Sequence, residues 1–192
     1  MRTLKRIAVY CGSSDRVDPR YMYAARETGT FLANQGVTVV YGGGRVGTMG
    51  AVADAALEAG GEVLGVIPER LNDLEVGHTG LTKLHVVQTM AERKTMMAEL
   101  SDGFIALPGG FGTLEEISEV VSLSVLNYQE KPSVLLNTAG FYDHLYAFLD
   151  HATSEHFIRP QQRNALALCD TLTEAFSFLR ESRMPRIEDW LK

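Results

Sequence analysis

Gly103-Phe104-Ile105-Ala106-Leu107 runs directly into Pro108-Gly109-Gly110-Phe111-Gly112-Thr113-Leu114-Glu115-Glu116, and then into Ile117-Ser118-Glu119-Val120-Val121-Ser122-Leu123. The first segment is short and apolar and reads as a buried strand; the last reads as a helix. Between them, three glycines within four residues leave the backbone bare, so an anion can reach the peptide N–H groups. Thr113 stands where an N-cap is expected, with Glu115 and Glu116 in the first helical turn. Acids at a helix start are stabilised by its dipole by about 0.3–1 kcal/mol each. Glu115 and Glu119, however, are one helical turn apart, and like charges at that spacing repel. Acids beside an anion cradle also oppose anion binding, which points to a second role in proton transfer or in stabilising a cation.

Working outward, the same grammar repeats. Lys5–Tyr10 reads as a strand followed by the small-residue turn Cys11-Gly12-Ser13-Ser14. Asp18-Pro19 opens a helix that ends at Gly36. Val37–Tyr41 is a second strand, followed by the turn 42–47 and an alanine-rich helix from Thr48 to Ala59. Glu62–Ile67 is a third strand, stopped by Pro68, and 68–83 reads as a loop at the ligand edge. Leu84–Val87 is a fourth strand, after which Thr89 caps the helix carrying Arg93, Lys94, Met96 and Met97. Beyond the central stretch come a strand at Ser133–Leu136, a helix over Phe141–Thr153, a break at Arg159-Pro160, a short strand at Ala165–Leu168 and a helix at Glu174–Glu181. Apolar strands alternating with helices predict an α/β, Rossmann-like three-layer sandwich: a mostly parallel central sheet with helices on both faces. Ligands of such sheets bind at the carboxyl ends of the strands. The turns at 11–14, 42–47 and 108–113 all fall there. The tail with Ile187, Trp190 and Leu191 is expected to pack on the body or on a partner subunit.

At 192 residues the chain is expected to be one domain, 1–192, with a real core. A net charge of −6 argues against general nucleic-acid binding, while leaving room for a local positive pocket. No apolar run suits a membrane span, and Ile7–Cys11 is too short for a signal segment. Cys11 and Cys169 both sit in apolar contexts, as buried thiols in a reducing compartment do. A cytoplasmic protein with no disulfide is expected.

Gly42-x-Gly44-x-x-Gly47 matches the dinucleotide fingerprint, with Glu62 near the position of a ribose-binding acid. It follows the second strand, and the turn at 108–113 would be redundant with it. Thr48 follows Gly47 without a lysine, so no phosphate-binding P-loop is present. Arg93 offers a planar fork suited to phosphate, whereas Lys94 also fits a solvated helix face. His78, His85, His144, His151 and His156 show no metal-ligand spacing, and no metal or cofactor is expected. Ser13 and Ser14 lack the setting of a hydrolase nucleophile.

The string 108–116 resembles the P-G-G-x-G-T-x-x-E signature of the LOG ("Lonely Guy") phosphoribohydrolases. Met90-Ala91-Glu92-Arg93-Lys94 resembles the family's M-x-x-R-K segment, and Gly42-Gly43-Gly44 with Gly47 and Met49-Gly50 extends the likeness. Together it covers roughly residues 5 to 180. The resemblance implies hydrolysis of the N-glycosidic bond of an adenine-type nucleoside 5′-monophosphate, AMP or its N6-prenyl form, to free base and ribose 5-phosphate. It implies Arg93 and Glu116 as the catalytic pair. Gly109, Gly110, Gly112 and Thr113 would hold the phosphate, with Lys94, Glu115 and Glu75 as further ligand contacts. Phe111, Leu114, Ser122, Gly43 and Gly44 complete the expected substrate-binding set. A homodimer, or a dimer of dimers, is implied, with a small-molecule nucleotide as partner and neither nucleic acid nor membrane. Members were often mislabelled lysine decarboxylases, but no lysine here stands in a recognisable pyridoxal phosphate context. The rival readings are a nucleotide sensor without catalysis and an NAD-linked enzyme.

Overall fold

The computed structural model describes residues 1–74, 76–186 and 188. Seven strands form one sheet in the order β4-β3-β2-β1-β5-β6-β7. They are β1 (Arg6–Tyr10), β2 (Thr38–Tyr41), β3 (Val63–Pro68), β4 (Lys83–Val87), β5 (Gly103–Ala106), β6 (Ser133–Leu136) and β7 (Leu166–Cys169). Every pairing between them is parallel, so the expected mostly parallel sheet is wholly parallel. The helices are α1 (Pro19–Asn34), α2 (Gly47–Glu58), α3 (Glu69–Asp73), α4 (Met90–Leu100), α5 (Phe111–Val125), α6 (Asp143–Ser154), α7 (Pro160–Arg163) and α8 (Leu172–Glu181).

Both faces of the sheet are covered, as parallel pairing requires. On one face Ala25 and Leu32 of α1, Val52 and Ala56 of α2, and Ala175 and Leu179 of α8 join a single buried cluster. On the other, Met97 of α4, Ile117 and Val120 of α5, and Tyr142 ahead of α6 form a second. The alternation along β1 and the residue after it sorts the side chains accordingly: Ile7, Val9 and Cys11 face the first cluster, Ala8 and Tyr10 the second.

The local start signals operate as read. The Asp18 carboxylate accepts from the Arg20 N–H with Pro19 opening α1, and the Thr89 hydroxyl accepts from the Glu92 N–H at the head of α4. Two expectations change. The segment 68–83 is not all loop, because Glu69–Asp73 winds into a short helix; Asn, Asp and Gly further on masked the helix-compatible start after Pro68. Thr113 is not the N-cap. Gly110 is, so α5 begins inside the glycine turn, Thr113 lies in the first turn and no acid does. Glu115 and Glu116 sit one turn deeper, where dipole stabilisation has largely faded.

The chain reverses its direction of travel across the sheet at β1. Strands β2 to β4 lie to one side and β5 to β7 to the other. The crevice between the carboxyl ends of β1 and β5 is therefore the topological switch point, where such sheets take ligands. Among the described residues, no helix is long and apolar enough to cross a membrane.

Candidate active site

Three turns meet at that crevice. A side chain on Gly12 would touch the Gly109 Cα, 3.7 Å from its Cβ. The Thr48 hydroxyl at the head of α2 lies 2.9 Å from both the N–H and the carbonyl oxygen of Gly12, and the Met49 N–H donates to the same carbonyl at 3.1 Å. Gly47 has φ +62° and packs against Ser13 and Ser14 so closely that a Cβ would overlap their backbone. The turns after β1 and β2 are thus locked together, and the turn after β5 lies against them.

The first helical bond of α5 is Leu114 N–H to Gly110 O at 3.1 Å. The amides of Gly110, Phe111, Gly112 and Thr113 precede it and have no intrahelical acceptor, and no side chain caps this end. A Cβ on Gly110 or Gly112 would meet nothing within 4 Å, and Phe111 is 94% exposed. Gly109 is different, because a Cβ there would overlap the Thr113 hydroxyl. The result is a bare, positively polarised helix end facing open space, which suits a phosphate.

Beside it stands a buried ion pair. Arg93 Nη1 donates to Glu116 Oε1 at 2.7 Å, joining α4 to α5, and Arg93 Nε donates to the Val66 carbonyl within β3 at 3.1 Å. Arg93 is 9% exposed and Glu116 6%. Gly42 makes room for the guanidinium, since any side chain there would overlap Nη2. Burial raises the Glu116 carboxyl above the usual range, and the Arg93 charge only partly opposes it. Glu116, Lys94 and Tyr10 line a cleft of about 650 Å³ between α4 and α5. Glu116 is therefore a carboxylate held in one orientation, partly stripped of water, at the edge of an open cleft.

Lys94 answers the repulsion between Glu115 and Glu119. Its Nζ lies 2.8 Å from Glu115 Oε1 and 3.1 Å from Glu119 Oε2, and these two bonds raise its ammonium above the ordinary lysine range. Glu115 and Glu116 point to different partners, as neighbours about 100° apart on a helix must.

The remaining expected residues are more scattered. Gly43 has φ +76°, and its carbonyl accepts from the His78 N–H at 2.9 Å. Gly44 pairs with Gly77 in an isolated antiparallel bridge. Both glycines are engaged by the 76–78 segment. Leu114 is half-buried against the second core cluster. Ser122 lies further along α5, roughly 9 Å from Glu116 at ~1.5 Å per residue, and lines a separate apolar hollow with Val121, Leu145 and Leu149. Glu75 and the tail residues Ile187, Trp190 and Leu191 lie outside the described residues. The sequence reading passed over Tyr10, Gly42 and Thr48 as site residues. Strand alternation was the one signal for Tyr10, and the glycine pattern at 42–47 was the one for Gly42, though it pointed to a nucleotide and not to Arg93; Thr48 gave none, because its role exists only across the sheet.

A family model described as "Possible lysine decarboxylase" matches residues 49–179. A cytokinin riboside 5′-monophosphate phosphoribohydrolase of Rhodococcoides fascians is 45% identical over 179 residues, covering 93% of this chain and 90% of the relative. The chain belongs to the LOG family. The Arabidopsis thaliana enzyme LOG1 is 42% identical over 184 residues, 96% of this LOG-family chain and 86% of its own length. Among solved structures, the molybdenum cofactor carrier protein of Chlamydomonas reinhardtii superposes with a TM-score of 0.69 at 21% identity, covering 90% of this chain and 93% of that one. At that identity the likeness is one of fold alone.

Proposed function

We propose that this LOG-family protein hydrolyses the N-glycosidic bond of a cytokinin riboside 5′-monophosphate, releasing the free base and ribose 5-phosphate. The observation that carries this reading is the placement of the buried Arg93–Glu116 pair beside the uncapped start of α5. The named relatives, phosphoribohydrolases by description, support it.

In this reading the 5′-phosphate docks on the amides of Gly110, Phe111, Gly112 and Thr113. Phosphate binding fixes the ribose, and that remote binding energy orients the reacting carbon. Breaking the ribosyl–base bond builds positive charge on the sugar. Glu116 stabilises that charge and accepts a proton from the attacking water; a carboxyl raised by burial is the stronger base. Arg93 holds the carboxylate in place. Lys94 and Glu115 form the outer, charged edge of the site.

The reading takes residues 1–192 as one hydrolase domain acting as a homodimer. Phe111, Tyr128, Phe148 and Phe157 are each largely exposed, and exposed large apolar side chains of this kind suit burial against a second copy. Cys11 and Cys169 are free and buried, which suits the cytoplasm.

The test is to incubate the protein with AMP and with isopentenyladenosine monophosphate and to measure released base. Release is expected from the wild type, and Glu116→Gln should abolish it with the fold intact. Nucleotide recovered uncleaved after long incubation would instead favour a sensor.

A further inference from the structure

Tyr10 ends β1, the strand at the switch point, and alternation turns its ring toward α4 and α5. The ring stacks on Phe104 of β5, with centroids 6.0 Å apart and planes 8° from parallel. The residue is 2% exposed. Even so, its hydroxyl makes no hydrogen bond to any described residue and is not sealed from the cleft that it lines together with Glu116 and Glu119. A buried tyrosine ordinarily places its O–H on a partner. The Leu107 N–H donates to the Tyr10 carbonyl at 2.9 Å, and the Leu107 carbonyl accepts from the hydroxyl of Tyr142 at 2.6 Å. Across the same cleft, Glu116 presents a second unused group: Oε1 is held by Arg93, while Oε2 has no hydrogen-bond partner among the described residues. A donor and an acceptor without a protein partner among the described residues thus lie on one open cavity. An open cleft of this size with charged side chains on its wall admits water.

We infer that Tyr10 is a further residue of the hydrolysis, its hydroxyl donating to the water that Glu116 deprotonates. The inference rests on the hydrolase reading above. The water places one hydrogen on Glu116 Oε2 and accepts the Tyr10 hydrogen on one lone pair. Its other lone pair is left to attack the anomeric carbon. As the new C–O bond forms, the water's O–H bond breaks and the proton passes to Glu116. The C–N bond breaks with its electron pair on the base, which regains a proton from solvent. Burial, reinforced by the Glu116 charge, raises the Tyr10 phenol well above its ordinary value. It therefore stays a donor across the working pH range and does not compete as a base.

The experiment is Tyr10→Phe, which keeps the ring stacked on Phe104. The expected result is a kcat at least tenfold lower with KM within twofold of wild type. The acid limb of the pH–rate profile should move to higher pH, since a water polarised by the phenol favours the ionised carboxylate. Arg93 on α4 and Glu116 and Glu119 on α5 act electrostatically on the hydroxyl, Lys94 and Glu99 on α4 and Tyr128, Glu130 and Lys131 beyond α5 line the same cleft, and all are unchanged in this variant. A crystal structure of the wild type should show a water within 2.6–3.2 Å of both Tyr10 Oη and Glu116 Oε2, absent in the variant. Wild-type kcat and an unmoved acid limb in Tyr10→Phe would overturn the inference, as would a hydroxyl found bonded elsewhere. A wild-type protein that releases no base would instead overturn the hydrolase reading.

Discussion

The guanidinium of Arg93 occupies the space a Cβ on Gly42 would fill. A side chain on α4 therefore reaches the glycine that follows β2, and its place depends on the absence of an atom there. Gly42→Ala should push the guanidinium off Glu116 and misplace the carboxylate without touching substrate. An ångström of misplacement costs about 100-fold in rate. Steady-state kinetics should show that loss in kcat, with a smaller change in KM.

The buried pair also sets a pH dependence. Glu116 is raised above 4.5 mainly by burial. Its base must be ionised, so kcat/KM should climb with pH through an apparent pKa above 4.5. The same shift acts on stability. The folded state holds the proton more tightly than the unfolded chain, so this contribution is full below the unfolded pKa and is lost as pH rises through the folded one. In Glu116→Gln that slope of stability against pH should disappear, which denaturant titrations across the window would measure. Glu116→Ala should be worse for the fold, by about 3–5 kcal/mol, because it strands a buried guanidinium.

Gly112 separates folding from binding. It sits inside the first turn of α5, with open space where a Cβ would go. Gly112→Ala should stabilise the protein by roughly 0.4–1 kcal/mol through helix propensity and reduced unfolded-chain freedom. The added methyl projects into the proposed phosphate space, so KM for the nucleotide should rise. A higher melting temperature with a higher KM is the expected pairing.

Tyr142 anchors the strand end that leads into the cradle. Its hydroxyl donates to the Leu107 carbonyl in a buried setting. Tyr142→Phe leaves that carbonyl without its partner and should cost about 1–3 kcal/mol, read as a lower denaturant midpoint at unchanged slope.

Lys94 holds two carboxylates that otherwise repel each other. Lys94→Met should lower stability by about 1 kcal/mol or less, since exposed pairs contribute little. The difference from wild type should shrink as salt is raised, because exposed charges are screened.

Much of this protein was legible in one dimension. Strand alternation, caps at Asp18 and Thr89, and apolar runs bounded by glycine specified a parallel α/β sandwich, because those signals are short-range and each acts within one turn or one strand. The glycine run at 108–113 pointed to a bare helix start for the same reason. Thr113 was misplaced by three residues because a glycine can cap a helix as well as a threonine, and only the backbone path decides which one does.

What the linear chain could not specify is every relationship that crosses the sheet. That Arg93 pairs with Glu116 rather than with solvent, that Lys94 reconciles Glu115 with Glu119, that Gly42 yields space to Arg93, and that Tyr10 shares a cleft with Glu116 all follow from strand order. The crossover from β4 at the sheet edge to β5 beside β1 brings α4 and α5 together. Residue types and spacing determine which elements form; the electrostatics of the site depends on distances between elements, and those exist only once the sheet has assembled.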